Sequence, residues 1–450
     1  MYLFNRLGPA VAFVGLLASS CTDSESSRPE RVMESSSVGP ADFDRDGVSE
    51  LVVAAPGAPG ATDRGGRVYV YAAPLAGASM PTPALTLSGI ELRDARFGEA
   101  LTVGDFDRDG YPDLAVGGFS ERRVHVFRGS EAGLTPTPAQ TLLGSTEGCF
   151  HAAVAVGDVD GDGYGDLAVG DSCADLGVGR VYLFVGSSDG LVPRAAAELS
   201  GALEPWMGPL GQVRAAGDTD RDGYSDVWIG NSFELRLHRG GPDGLSTEPS
   251  IRIQRSDSPS LAFPDVTTGI DTNGDGLTEL VLRHEARDPD TGVRYELRLY
   301  PGTDAGPSTT PVVLAARDET CDLVPTPTRA AGDFDADGYD DLVVRSCNGL
   351  DVWGGSAHGP VIEPSPRIVA PPWIPHDGYA SAEDFGWAAS ALDLDGDGYD
   401  DLVVGAPSGA GYYGRAFVYR GGPSGLATEP DLELRAPDGR ESFFGHAFPD

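Results

Sequence analysis

Basic residues are scarce in this 450-residue chain: 32 Lys and Arg stand against 69 Asp and Glu, a formal net charge of −37. Phosphate backbones are held by clustered Lys and Arg, and no such patch is present, which excludes nucleic acid as a partner. The seven histidines are scattered singly, at His125, His151, His238, His284, His358, His376 and His446. No His/Cys metal cluster, nucleophile elbow or phosphate-binding loop accompanies them, so the chain is not read as an enzyme. Beyond the first 20 residues no apolar stretch is long enough to span a membrane, and no helical periodicity separates the repeated elements.

What the chain has in quantity is aspartate at fixed spacing. The stretch Asp393-Leu394-Asp395-Gly396-Asp397-Gly398-Tyr399-Asp400-Asp401-Leu402 puts acids at loop positions 1, 3, 5 and 9 and a glycine at position 6. Hard oxygen ligands crowded onto one turn repel each other unless a hard cation sits among them, and the glycine supplies the backbone freedom of a tight turn. The same pattern occurs at Asp42, Asp44, Asp46 and Glu50; at Asp105, Asp107, Asp109 and Asp113; and at Asp158, Asp160, Asp162 and Asp166. It returns at Asp218, Asp220, Asp222 and Asp226; at Asp271, Asn273, Asp275 and Glu279; and at Asp333, Asp335, Asp337 and Asp341, before Asp393, Asp395, Asp397 and Asp401. These loop positions hold 27 of the 69 acidic residues, so calcium at about seven sites is the expected cofactor and a source of stability.

Successive first aspartates lie 63, 53, 60, 53, 62 and 60 residues apart, the mark of a repeat architecture. An EF-hand would need a bidentate glutamate at position 12 and a following helix. Position 12 is instead Val53, Val116, Val169, Ile229, Leu282, Val344 and Val404, within short apolar runs that read as buried strands. The loop therefore joins two strands. A third strand follows in each unit, as in Arg67–Tyr71, Arg123–Phe127, Arg180–Phe184, Glu234–His238 and Arg415–Tyr419, and then a Gly-rich turn and a fourth, as in Gln140–Leu143. Four short antiparallel strands per unit describe a propeller blade, so the expected fold is all-β: a seven-bladed β-propeller over residues 38–450.

Met1 to Ser20 carries one basic residue, Arg6, and an apolar core from Leu7 to Leu17, and reads as a secretory signal over 1–20. The ending Leu17-Ala18-Ser19-Ser20-Cys21 resembles a bacterial lipoprotein signal, which implies diacylation of Cys21. Ala18 stands where leucine is usual, and ordinary cleavage after Ser20 is the alternative. Residues 21–37, rich in Ser and Glu, form a tether. The expected location is the outer membrane or cell surface, otherwise secreted or periplasmic, with the membrane touched only through the lipid and the chain monomeric. Of the other cysteines, Cys149 and Cys173 bracket one acidic loop and Cys321 and Cys347 bracket another in matching places, which suggests a disulfide within each pair; the alternative is four free thiols.

The units resemble the FG-GAP repeats of the integrin α-subunit head and of related bacterial surface proteins. Phe-Gly stands eight residues before the loop at Phe97-Gly98 and Phe385-Gly386 and degenerates elsewhere, for instance to Phe150-His151; Gly-Ala-Pro is intact at Gly405-Ala406-Pro407. The resemblance implies a calcium-bearing propeller of FG-GAP repeats used for extracellular binding or adhesion, with a protein or glycan as partner. A carbohydrate-binding, lectin-like propeller is the runner-up, and a polysaccharide-active enzyme ranks lower. The face opposite the loops is expected to collect Trp206, Trp373, Tyr412 and Tyr413, candidate ligand-binding aromatics. Glu34-Ser35 is a poor strand start for the first unit, whereas the chain ends with an orphan Phe444-Gly445-His446-Ala447-Phe448, which is expected to supply the missing inner strand of blade 1.

Overall fold

The apolar runs that leave the acidic loops are strands buried along their whole length, as in Asp113–Gly118, Asp166–Asp171 and Asp401–Ala406. The structure is a computed structural model. It describes residues 41–449 apart from 59–64, 76–80, 90–93, 145–148, 202–208, 232, 255–265, 289–291, 317–325, 347–348, 362–366, 372–384, 408–412 and 438–441. The described strands form seven antiparallel sheets, each made of strands adjacent in sequence, within one unit, Ser35–Asp450. This is a seven-bladed β-propeller.

Blade 1 comprises Leu51–Ala55, Arg67–Tyr71 and Leu85–Leu87, and blade 2 Phe97–Gly104, Asp113–Gly118, Arg123–Phe127 and Gln140–Leu143. Blade 3 follows with Phe150–Gly157, Asp166–Asp171, Arg180–Phe184 and Ala197–Ser200, and blade 4 with Gln212–Gly217, Asp226–Gly230, Glu234–His238 and Ile251–Gln254. Val266–Ile270, Glu279–Asp288, Gly292–Tyr300 and Val312–Ala316 make blade 5, and Thr326–Gly332, Asp341–Ser346, Gly349–Trp353 and Arg367–Val369 make blade 6. Blade 7 consists of Ala389–Leu392, Asp401–Ala406, Arg415–Tyr419 and Leu432–Arg435.

Both faces of each sheet are buried, because side chains alternate across a strand and each face meets a neighbouring blade. In blade 1, Leu51, Val53 and Ala55 pack toward blade 7, while Val52 and Ala54 pack toward blade 2. Leu167 and Val169 of blade 3 likewise meet blade 2, and Ala168 meets blade 4. Seven apolar clusters result, one between each consecutive pair of blades, and the cluster joining blade 7 to blade 1 closes the ring.

That closure uses the C-terminal segment. Gly445 donates its N–H to the Ala54 carbonyl at 3.0 Å, and Ala54 donates to the Ala447 carbonyl at 3.0 Å. Phe444 and Phe448 are buried in the cluster shared by blades 7 and 1. Phe444 bridges Gly414 of blade 7 just as Phe97 bridges Gly66 of blade 1, and both glycines have positive φ, 73° and 84°. A Cβ at Gly414 would lie 2.2 Å from the Phe444 carbonyl oxygen, so only glycine fits there. The Phe-Gly element of blade 1 thus comes from the far end of the chain. The C-terminal segment bonds blade 1 at Ala54 and, through the Ser442 carbonyl, at Gly57, but adds no registered strand, so the described sheet of blade 1 has three strands.

Cys149 and Cys173 form a disulfide, with Cα atoms 5.1 Å apart, at the mouth of blade 3. Cys321 and Cys347 lie outside the described residues, as do Cys21, the signal and tether segments, Trp206, Trp373 and Tyr412. Among the described residues no helix is long and apolar enough to cross a membrane.

Candidate metal centres

In blades 2 to 7 each acidic loop is the turn between the first and second strands, in blade 1 it leads into Leu51–Ala55, and in all seven the backbone is folded around the loop's own carboxylates. In all seven, the N–H of the position-6 glycine donates to the position-1 aspartate, from 2.7 Å for Gly163 on Asp158 to 3.0 Å for Gly47 on Asp42. The position-7 N–H donates to the position-5 aspartate, as Tyr111 does to Asp109 and Tyr399 to Asp397. Position 4 is left-handed throughout, including Arg45, Arg108, Arg221 and Ala336 with φ of 57°, 56°, 61° and 55°. A side chain at such a φ is strained and persists only where its surroundings hold it. Sequence reasoning passed over position 4; the signal was there in Gly161, Gly274 and Gly396, which occupy it in three loops.

The position-9 acid has a different job. Glu50, Asp113, Asp166, Asp226, Glu279, Asp341 and Asp401 are all buried. One oxygen of Asp166 accepts the position-2 N–H of Val159 at 2.9 Å, and the other accepts the Gly186 N–H, just beyond the third strand, at 2.9 Å. Asp226, Asp341 and Asp401 make the same double tie, to Thr219 and Gly240, to Phe334 and Gly355, and to Leu394 and Gly421. Burial pushes Glu50, Asp113, Asp166, Glu279 and Asp341 up to about 7, with the neighbouring loop acids adding to the rise. Asp226 and Asp401 are also raised by burial, which Arg239 and Arg420 partly counter.

Ligand atoms of Asp42, Asp44 and Glu50 lie within 4.8 Å of one another, as do those of Asp105, Asp107 and Asp109; of Asp158, Asp160 and Asp166; of Asp218, Asp220 and Asp222; and of Asp333, Asp335 and Asp337. The buried Oδ1 atoms of Asp105, Asp220 and Asp395, in the loops of blades 2, 4 and 7, accept no hydrogen bond. Carboxylates crowded this closely repel one another, and a hard divalent cation with oxygen ligands is the group this donor set suits. Positions 1, 3, 5 and 9 would hold it.

The loops also stitch the ring. The position-8 N–H of one loop donates to the position-1 carbonyl of the loop before it: Gly165 to Asp105, Ser225 to Asp158, Asp340 to Asp271, Asp400 to Asp333, and Ser49 to Asp393 across the closure. Position-2 carbonyls accept from the turn after the third strand of the next blade, as Phe43 does from Ser130 at 3.1 Å and Val159 from Gly241 at 2.9 Å. The acidic loops therefore lie side by side on one face, five of the seven adjacent pairs bonded backbone to backbone.

The opposite strand ends carry the exposed aromatics. Tyr413, the one predicted ligand-binding aromatic among the described residues, is 42% exposed, and its carbonyl accepts from Ser442 at 3.0 Å. Trp387, which sequence reasoning missed, is 56% exposed and lies 6.1 Å from the His446 ring. His446 in turn reaches Glu99 at 3.8 Å. Trp387, His446 and Glu99 each follow a Phe-Gly pair, at Phe385-Gly386, Phe444-Gly445 and Phe97-Gly98, which was the available signal.

Fold and loops together define a seven-bladed β-propeller with an acidic loop in every blade. Its repeats match the FG-GAP-like repeat model over residues 105–169 and the FG-GAP repeat model over 35–71 and 385–419. The chain is 39% identical over 148 residues to integrin alpha-4 of Xenopus laevis, a match covering 31% of this chain and 14% of that protein. It is 39% identical over 217 residues to integrin alpha-IIb of Mus musculus (40% and 21%) and 34% identical over 166 residues to integrin alpha-7 of Homo sapiens (34% and 14%). The matched stretches thus span about a fifth or less of these relatives' own length.

Proposed function

We propose that this protein is an extracellular, calcium-stabilised propeller that serves as a cell-surface binding or adhesion module and performs no catalysis. The observation that carries the reading is the ring of acidic loops, whose buried position-9 carboxylates tie loop to strand while carboxylate oxygens of the same loop converge to within 4.8 Å of one another. Similarity to integrin α-subunits supports the binding role. The calcium face is structural, and the opposite face, with Trp387, His446, Glu99 and Tyr413, receives an extracellular protein or glycan. Aromatic side chains on a rigid scaffold supply contact area at low entropic cost. Lipid on Cys21 holds the module at the outer surface.

The calcium-loaded chain is to be tested on arrays of glycans and extracellular-matrix proteins. We expect binding that is lost in chelator and weakened at least tenfold by Trp387→Ala, a loss of about 1.4 kcal/mol. Binding that Trp387→Ala and Tyr413→Ala leave untouched would move the site elsewhere. Turnover of a polysaccharide would replace the binding reading with an enzymatic one.

A further inference from the structure

The seven loops differ in what faces them. The residue immediately after the third strand, or after its counterpart Arg67–Tyr71 in blade 1, is Ala72, Arg128, Val185, Arg239, Pro301, Gly354 and Arg420 in blades 1 to 7. In blades 2, 3, 4, 6 and 7 the next residue is the glycine whose N–H binds the position-9 carboxylate, so this position lies against the loop of its own blade. Where it is arginine, the side chain enters the acid cage. Arg239 Nη1 lies 2.6 Å from Asp226 Oδ2 at position 9 and 3.2 Å from Asp220 Oδ2 at position 3. Arg420 Nη1 repeats the geometry in blade 7, 2.5 Å from Asp401 Oδ2 and 3.4 Å from Asp395 Oδ2. In blade 2, Arg128 Nη1 pairs with Asp107 at position 3.

These guanidinium groups are largely sheltered, with side chains 31%, 17% and 16% exposed for Arg128, Arg239 and Arg420. Further bonds hold two of them in place: Arg239 donates to Thr219 Oγ1 and to the Ala305 carbonyl, and Arg420 to Asp431. In blades 1, 3, 5 and 6 the equivalent position carries no charge. Among the described residues, the carboxylates at positions 3 and 9 of those four loops form no ion pair with a cationic side chain. Spacing of the acids does not separate the two classes, since loops 2 and 4 are as tightly clustered as loops 1 and 3. The arginine does.

A guanidinium cannot be deprotonated in a protein and donates through a rigid fork. Placed on position 3 in blade 2 and on positions 3 and 9 in blades 4 and 7, it takes one oxygen of each acid it meets and brings a positive charge that repels a divalent ion, although the Oδ1 atoms of Asp105, Asp220 and Asp395 stay unpartnered. We propose that Arg128, Arg239 and Arg420 are built-in cations that fill the acid cages of blades 2, 4 and 7, so that the propeller takes up calcium at four loops, those of blades 1, 3, 5 and 6. Three metal-independent blades are then interleaved with four metal-dependent ones. This rests on the calcium reading above, and it replaces an expected count of about seven with four.

The test is the number of calcium ions bound by the full chain, measured by calorimetry and by native mass spectrometry. The wild type is expected to bind four. Arg128→Gln, Arg239→Gln and Arg420→Gln are each expected to bind five. The converse variant guards against loss of fold: Gly354→Arg places the charge in blade 6, where a Cβ meets nothing nearer than Asp341 Oδ1 at 3.6 Å, and should bind three. Seven ions in the wild type, or counts unmoved by every substitution, would overturn the proposal and leave the calcium reading standing. No ion bound by any variant would overturn both.

Discussion

Single carboxylates in this ring do two kinds of work, and substitution separates them. Asp166 is fully buried and satisfies two buried amides, those of Val159 and Gly186. Stranding both costs about 1–3 kcal/mol each, so Asp166→Ala should lower the unfolding free energy by about 2–5 kcal/mol in urea, in chelator as well as in calcium. Asp162, at position 5, is exposed and accepts from the Tyr164 N–H next to it in the turn. Asp162→Ala should cost under about 1 kcal/mol in chelator and distinctly more in calcium, because its loss is felt through the ion. Acidity supplies a second check. Burial holds Glu50, Asp113, Asp166, Glu279 and Asp341 at about 7, above the usual carboxylate range. The metal-free folded state therefore keeps protons that the unfolded chain releases, and stability falls as pH rises from about 4 through about 7. In chelator the melting temperature should be higher at pH 5.5 than at pH 8, and excess calcium, which favours the deprotonated carboxylates, should close that gap. A chelated protein that melts higher at pH 8 would refute the assignment. The loop acids themselves were legible from spacing alone. The left-handed position 4 was not, because four of its seven residues are not glycine and so give no local sign of the conformation.

Strands with strict alternation were the elements read most accurately. Arg67–Tyr71, Arg123–Phe127, Arg180–Phe184, Glu234–His238 and Arg415–Tyr419 stand where the pattern put them, since each alternates between the two blade interfaces. First strands were harder. Leu101 to Val103 is the periodic part of a strand that runs Phe97–Gly104, and the shift in register between Phe97 and Ala100 breaks the alternation that would have revealed its start. Two elements can be tested directly. Phe444 is fully buried between blades 7 and 1, so Phe444→Ala should cost about 3–5 kcal/mol, and a chain ending at Asp438 should melt well below the full chain. An unchanged melt would mean that the C-terminal segment does not close the ring. The Cys149–Cys173 disulfide joins residues 24 apart, and its loss in the double serine variant should cost about 2–4 kcal/mol.

At the scale of the molecule, stability depends on the ring being whole. Every apolar cluster is shared by two blades, and the acidic loops are bonded to each other through their backbones around most of the ring. A cation taken up by one loop would therefore steady the contacts of two blades. Each site at a hundredfold excess of calcium over its Kd adds about 2.7 kcal/mol. Removing calcium should therefore lower the melting temperature by more than about 10 °C and raise amide exchange across the loops together, as followed by calorimetry and by hydrogen exchange. An equal melt in calcium and chelator would show the loops to be metal-free turns.

Blade number, blade order and the candidate ligands were determined by the sequence itself, because each follows from residues within about 12 positions of one another and repeats seven times. The three-dimensional structure decided what such local patterns do not carry. It set the double hydrogen bond of the position-9 acids to the loop's second residue and to the glycine after the third strand, the bonds from loop to loop across 60 to 69 residues, and the entry of Arg128, Arg239 and Arg420 into three of the cages. It also brought Phe444 to Ala54 from the other end of the chain. The physical reason is common to all of these: a charge or a hydrogen bond is settled by whichever group the closed ring places within about 3 Å, and sequence distance does not measure that.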